Sequence, residues 1–168
     1  DSLRRRKTGH LLRCDRLAVL RPIVQQVYDA HGNDFDRALE ELLNAPNVDL
    51  GVHRFTRQRT GQPDLELKGP RGTIVIAATA SEDDRKPIPW DKCREVLGAV
   101  GYSGSRSNAV VVGKPDFHTV AIENAKELVD KGTTFLLVPV DVVVELSLRR
   151  VEGKLSKEAF IQKLEDSH

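Results

Sequence analysis

Methionine is absent from this chain of 168 residues, cysteine occurs only twice, and no apolar run reaches membrane length. Each shortage excludes something. Cys14 and Cys93 cannot supply a disulfide framework. Both fall in helical patterns, which predicts buried free thiols and suits a reducing cytoplasm. With no membrane-length run and no signal-peptide pattern, a cytoplasmic protein without membrane contact is expected. Charge of one sign is also lacking: Lys and Arg number 26 against 25 Asp and Glu, a formal net charge of +1. A nucleic-acid partner must therefore be sought in local basic patches, not in bulk charge. Neither GxxxxGK[ST] nor GxGxxG occurs, which argues against a nucleotide-sensing domain built on Gly101–Ser107. The chain starts at Asp1, and it is expected to be one domain excised from a longer protein, with enough length for a substantial core.

What is present centres on Gly61–Ser81. Leu65 and Leu67 alternate with Glu66 and Lys68, so one face of a first strand is apolar. Gly69-Pro70-Arg71-Gly72 is a dense turn signal. Thr73–Ala80 is a nearly continuous apolar, β-branched run, as in a central strand covered on both faces. A hairpin follows, with Asp64 at the start of one strand and the end of its partner coming back beside it.

Around this hairpin the pattern alternates. Residues 1–9, with Arg4-Arg5-Arg6-Lys7, read as an exposed basic linker or tail, and residues 10–168 as the domain. Leu11–Ala30 has helical spacing interrupted by Pro22, which predicts a kink or two shorter helices. Asn33 is a candidate N-cap for a helix to about Asn44, with Phe35, Leu39, Leu42 and Leu43 inward. Val52–Arg59 alternates as a strand carrying Arg54, Arg57 and Arg59. After the hairpin come a polar loop (Ser81–Pro89), a helix (Trp90–Val100), a strand (Asn108–Gly113), a helix capped by Thr119, a strand (Thr133–Val138), a helix (Asp141–Arg150) and a last helix capped by Ser156. Strands alternating with helices imply parallel pairing, hence an α/β fold with a mixed sheet of about five strands and helices on both faces.

Pro63-Asp64 at a strand start, the aligned Ala77-Ala78-Thr79 on the next strand, and the element order together resemble the PD-(D/E)XK superfamily of restriction-endonuclease-like nucleases. Arg94–Val100, Ala109–Gly113 and the Phe117/Ala121/Ala125 spacing are similar to the Mrr-like branch, which acts on modified DNA. The resemblance covers about residues 33–148. It implies a Mg²⁺-dependent (or Mn²⁺-dependent) DNA endonuclease of restriction or phage-defence type, working on duplex DNA as a homodimer or within a larger multidomain protein.

Residue by residue, the resemblance makes Asp64 a metal ligand and the Ala78 carbonyl a neutral one. It puts Glu40 or Glu41 of the preceding helix near the metal. The chain departs from the family at two positions: Ala77 stands where a glutamate is expected, and Thr79 stands in the lysine slot. One carboxylate holds Mg²⁺ poorly, so this sequence is expected to cleave slowly or not at all. Either the glutamate of an active nuclease has been replaced, or the chain is a natural pseudonuclease that serves as a binding or docking module. Lys86 or Arg85 in the following loop is a candidate substitute for the missing lysine. Arg54, Arg57, Arg59 and Arg85 are candidate phosphate contacts. The literal Glu66-Leu67-Lys68 recedes along its own strand and reads as a solvated face. The Glu82-Asp83-Asp84 cluster reads as an acidic turn, and His118 as a loop histidine.

Overall fold

Five strands pair in chain order into one mixed sheet: β1 (His53–Arg54), β2 (Leu65–Gly69), β3 (Gly72–Ala80), β4 (Asn108–Lys114) and β5 (Phe135–Pro139). The computed structural model describes residues 2–54, 65–70, 72–101, 108–130 and 135–166. The β1/β2 and β2/β3 pairs are antiparallel; β3/β4 and β4/β5 are parallel. Among the described residues six helices accompany them: α1 (Ser2–Asp29), α2 (Asn33–Leu43), α3 (Trp90–Gly101), α4 (Thr119–Asp130), α5 (Val140–Val151) and α6 (Lys157–Glu165). The α/β class and the five-stranded mixed sheet are thus as the hydrophobic periodicity implied.

The pleat sorts the strand side chains into two cores. On one face, Leu65, Leu67, Ile74, Ile76, Val110, Val112, Leu136 and Val138 pack with α1, α2, α5 and α6. On the other, Val75, Ala109, Val111, Phe135 and Leu137 pack with Cys93 of α3 and Ala121 and Ala125 of α4. The hairpin is as expected, with Gly69 paired to Gly72 across a two-residue turn. Gly72 has φ 122°, a conformation that favours glycine.

Three local expectations need correction. Pro22 does not divide the N-terminal pattern into two shorter helices: α1 runs through it as one helix of 28 residues. Leu17, Leu20, Ile23, Val24 and Val27, on both sides of the proline, pack into the same core, and that burial outweighs the single backbone hydrogen bond proline removes. The N-cap of α2 is Gly32, with φ 57° and no side-chain cap, and Asn33 is the first helical residue. Likewise α4 starts at Thr119 itself, and the His118 imidazole Nδ1 accepts from Val120 N at 3.2 Å. That contact gives the loop histidine a structural task. Ser156 does cap α6, its hydroxyl accepting from Ala159 N at 3.1 Å.

The C-terminal ends of β3 and β4 are stitched together by their own loops. Ser81 N donates to Lys114 O at 2.8 Å. Ile88 and Phe117 form a parallel bridge, with Ile88 N to Asp116 O at 2.8 Å and His118 N to Ile88 O at 2.9 Å. At the other end, the Asn44 side chain grips the backbone leading into β1, donating to Val52 O at 2.9 Å and accepting from Val52 N at 2.8 Å.

Candidate functional site

The β2/β3 register is Leu65↔Ile76, Glu66↔Val75, Leu67↔Ile74 and Lys68↔Thr73. This is the register that reading Asp64 and Ala77 as neighbours requires. Asp64 itself, with Arg57 and Arg59, lies outside the described residues. Ala77 does not: it is 2% exposed and pairs with Val111 of β4. Alternation puts Ala77 and Thr79 on the α3/α4 side of the sheet and Ala78 on the other, where it packs against the larger core. Thr79 is partly buried.

The remaining candidates are dispersed. Arg54 pairs with Leu65 and so faces the α1/α2 side, where its guanidinium Nε donates to the Glu40 carboxylate. Glu41 is turned to solvent on α2, whose apolar side packs on the face opposite Ala77 and Thr79. Glu40 is thus engaged by Arg54 of β1, and α2 itself packs against β3. Arg85 and Lys86 are exposed on the loop leaving β3. Asp83 shapes that loop, its carboxylate accepting from Arg85 N and its carbonyl from Lys86 N, both at 3.0 Å. The acidic cluster is therefore at least in part a turn, as its composition suggested.

On the α3/α4 face, β1 and β2 present His53, Glu66 and Lys68, of which His53 and Lys68 are exposed and Glu66 half-buried. This polar strip borders Thr73 and Val75. It is what distinguishes the candidate site from the rest of the sheet.

The donor set decides what the site can hold. Mg²⁺ needs hard oxygen ligands, usually including carboxylates. Ala77 offers no side-chain donor, Thr79 only a hydroxyl, and among the described residues no group of three or more His, Cys, Asp or Glu is placed to hold a metal. The described residues by themselves do not fit a Mg²⁺ ion.

One buried polar residue escaped the sequence reading altogether. Lys114, the last residue of β4, is 4% exposed. Its ammonium donates to the carbonyls of Val27 (3.4 Å), Tyr28 (2.8 Å) and Ala30, and lies 5.2 Å from the centre of the Phe35 ring. A cation thus satisfies the exposed carbonyls at the negative end of α1. Burial lowers the Lys114 pKa, opposed by the charges of Asp84 and Asp29. Nearby, Tyr28 donates to Asp141 at 2.5 Å and ties α1 to α5. Burial, then that hydrogen bond, then the Asp141 charge push the phenol to about 12. A lysine before a proline reads as a turn, and its partners lie more than 80 residues away, so no local signal could have revealed this role.

Compared with protein-family models, with curated proteins and with solved structures, the chain matches none.

Proposed function

We propose that this chain is a DNA endonuclease domain of restriction or phage-defence type whose second catalytic carboxylate is missing at Ala77. The activity of such a domain is Mg²⁺-dependent; with Ala77 in place the chain retains binding and has lost most or all cleavage. The β2/β3 register carries the reading, because it sets the strand position bearing Ala77 against the end of β2 where the Pro63-Asp64 motif leads in. The element order supports it: a helix, three antiparallel strands, a crossover helix and parallel strands. Binding runs mainly through Lys and Arg on phosphates, so affinity falls steeply with salt.

A second reading, a natural pseudonuclease acting as a nucleic-acid-binding or docking module, is favoured by one observation. Ala77 is as buried as the core residues Ile74–Ile76 beside it, a place where an unpaired carboxylate would be costly.

Plasmid cleavage with Mg²⁺ or Mn²⁺, comparing the chain with Ala77→Glu, separates the two. The nuclease reading expects metal-dependent cleavage in the variant and little in the parent. It also expects Mg²⁺ to raise the melting temperature of the variant only, because the ion binds the folded state through the new carboxylate. Salt-sensitive DNA binding with no cleavage and no metal stabilisation in a folded Ala77→Glu protein would leave the pseudonuclease.

A further inference from the structure

A hollow of about 210 Å³ opens between α4 and β5, on the same face as Ala77 but two strands away, about 10 Å across the sheet. Its walls are mostly apolar, among them Phe117, Ala125, Phe135 and Leu137, and two charged residues, Asp116 and Lys126, complete the lining. Protein interiors normally fill such a volume. Here the walls are held apart. The Phe117 ring is wedged against Gly113 and Ile88 so tightly that a Cβ on Gly113 would lie 2.4 Å from it. The Phe135 ring is fixed edge-on by Trp90, with centroids 6.1 Å apart at 89°. Asp116 is fixed as well: its carboxylate accepts from Phe117 N at 2.7 Å and its carbonyl from Ile88 N. On α4, small Ala125 leaves the space that a larger residue would occupy. The cleft is preformed, and it lies beside the C-terminal ends of parallel strands, where open α/β sheets hold ligands.

We propose that this cleft is a binding site for a small, ring-bearing apolar molecule with a neutral or zwitterionic head. An engineered cavity of about 150 Å³ in another protein accepts benzene, so one or two rings suit this volume. The lining is too apolar to satisfy the polar edges of a nucleobase, which would lose its hydrogen bonds to water on entering. One acidic and one basic residue give no net preference for an anion or a cation. They suit a head group carrying both charges, as in a hydrophobic amino acid, with its ammonium toward Asp116 and its carboxylate toward Lys126. The inference does not depend on the nuclease reading.

The test is titration of the full chain with indole, L-phenylalanine, phenylpropionate and phenethylamine, followed by backbone amide chemical shifts. Indole and L-phenylalanine are expected to give saturable shifts confined to the segments around Asp116–Lys126 and Phe135–Pro139. Ala125→Leu, which fills the space, is expected to weaken both at least tenfold. Ala125→Val serves the same purpose where leucine proves too large to fold. Lys126→Ala and Asp116→Asn are expected to weaken L-phenylalanine severalfold and leave indole unchanged; Asn keeps the acceptor for Phe117 N. Absence of localised shifts with indole and L-phenylalanine, or equal binding by a folded Ala125 variant, overturns the site. Tighter binding of phenylpropionate or phenethylamine than of both others overturns the head-group assignment.

Discussion

The two ends of the sheet are built to different standards. Across β4 and β5, residues Ala109–Lys114 and Phe135–Val138 are all buried, under helices on both faces. Across β1 and β2, the described residues cover only one face: Leu65 and Leu67 join the core while His53 and Lys68 are exposed and Glu66 is half-buried. The parallel end invests its residues in packing, and the antiparallel end keeps polar chemistry at its surface. β3 belongs to both, and Ala77 and Thr79 sit where the character changes.

The contrast can be broken first by mutation at the closed end. Leu136→Ala is expected to cost about 2–5 kcal/mol, since it deletes a buried side chain with no means of collapse, measured by urea denaturation. Gly113→Ala follows: its Cβ would meet Phe117 and Ile88 at 2.4–2.7 Å, and overpacking of this kind costs about 1–3 kcal/mol. An equal or smaller effect than at the open end would abolish the distinction. At the open end, Lys68→Ala is expected to change stability by no more than about 0.5 kcal/mol, because the side chain is exposed.

A chemical probe sharpens the same contrast. Burial in the closed half pushes the Cys93 thiol from 9.0 to about 12, against the lowering effect of a backbone hydrogen bond. The raised value makes its contribution to stability fully present below pH 9 and lost as pH climbs toward 12. At pH 8 the Cys93 peptide is therefore expected to resist iodoacetamide in the native protein and to label only on unfolding, as read by peptide mass. Over pH 9–12, Cys93→Ala is expected to show a shallower loss of stability than the parent.

Much of the closed half could be read from the chain, because its helices carry the 3.6 periodicity and its strands are continuous apolar runs bounded by turn residues; even the valine run in α5 read correctly as helix. Local chemistry was less dependable where distant packing decides. The division into two helices at Pro22 was the wrong alternative because the core that bridges the proline is assembled from other elements. The pairing of Arg54 with Glu40 was not legible either, because the two lie on different elements. The candidate site was legible as a register and a pair of departures, Ala77 and Thr79, but not as a geometry of side chains.

The ammonium of Lys114 also sets a limit on trimming. Remove the first thirty residues and the carbonyls of Val27, Tyr28 and Ala30 vanish with them, leaving a positive charge at the end of β4 with no oxygen from α1 to meet it. The end of α1 and the end of β4 are thus clamped to each other through one side chain, and a version that starts at α2 is expected to melt at a lower temperature than the full chain.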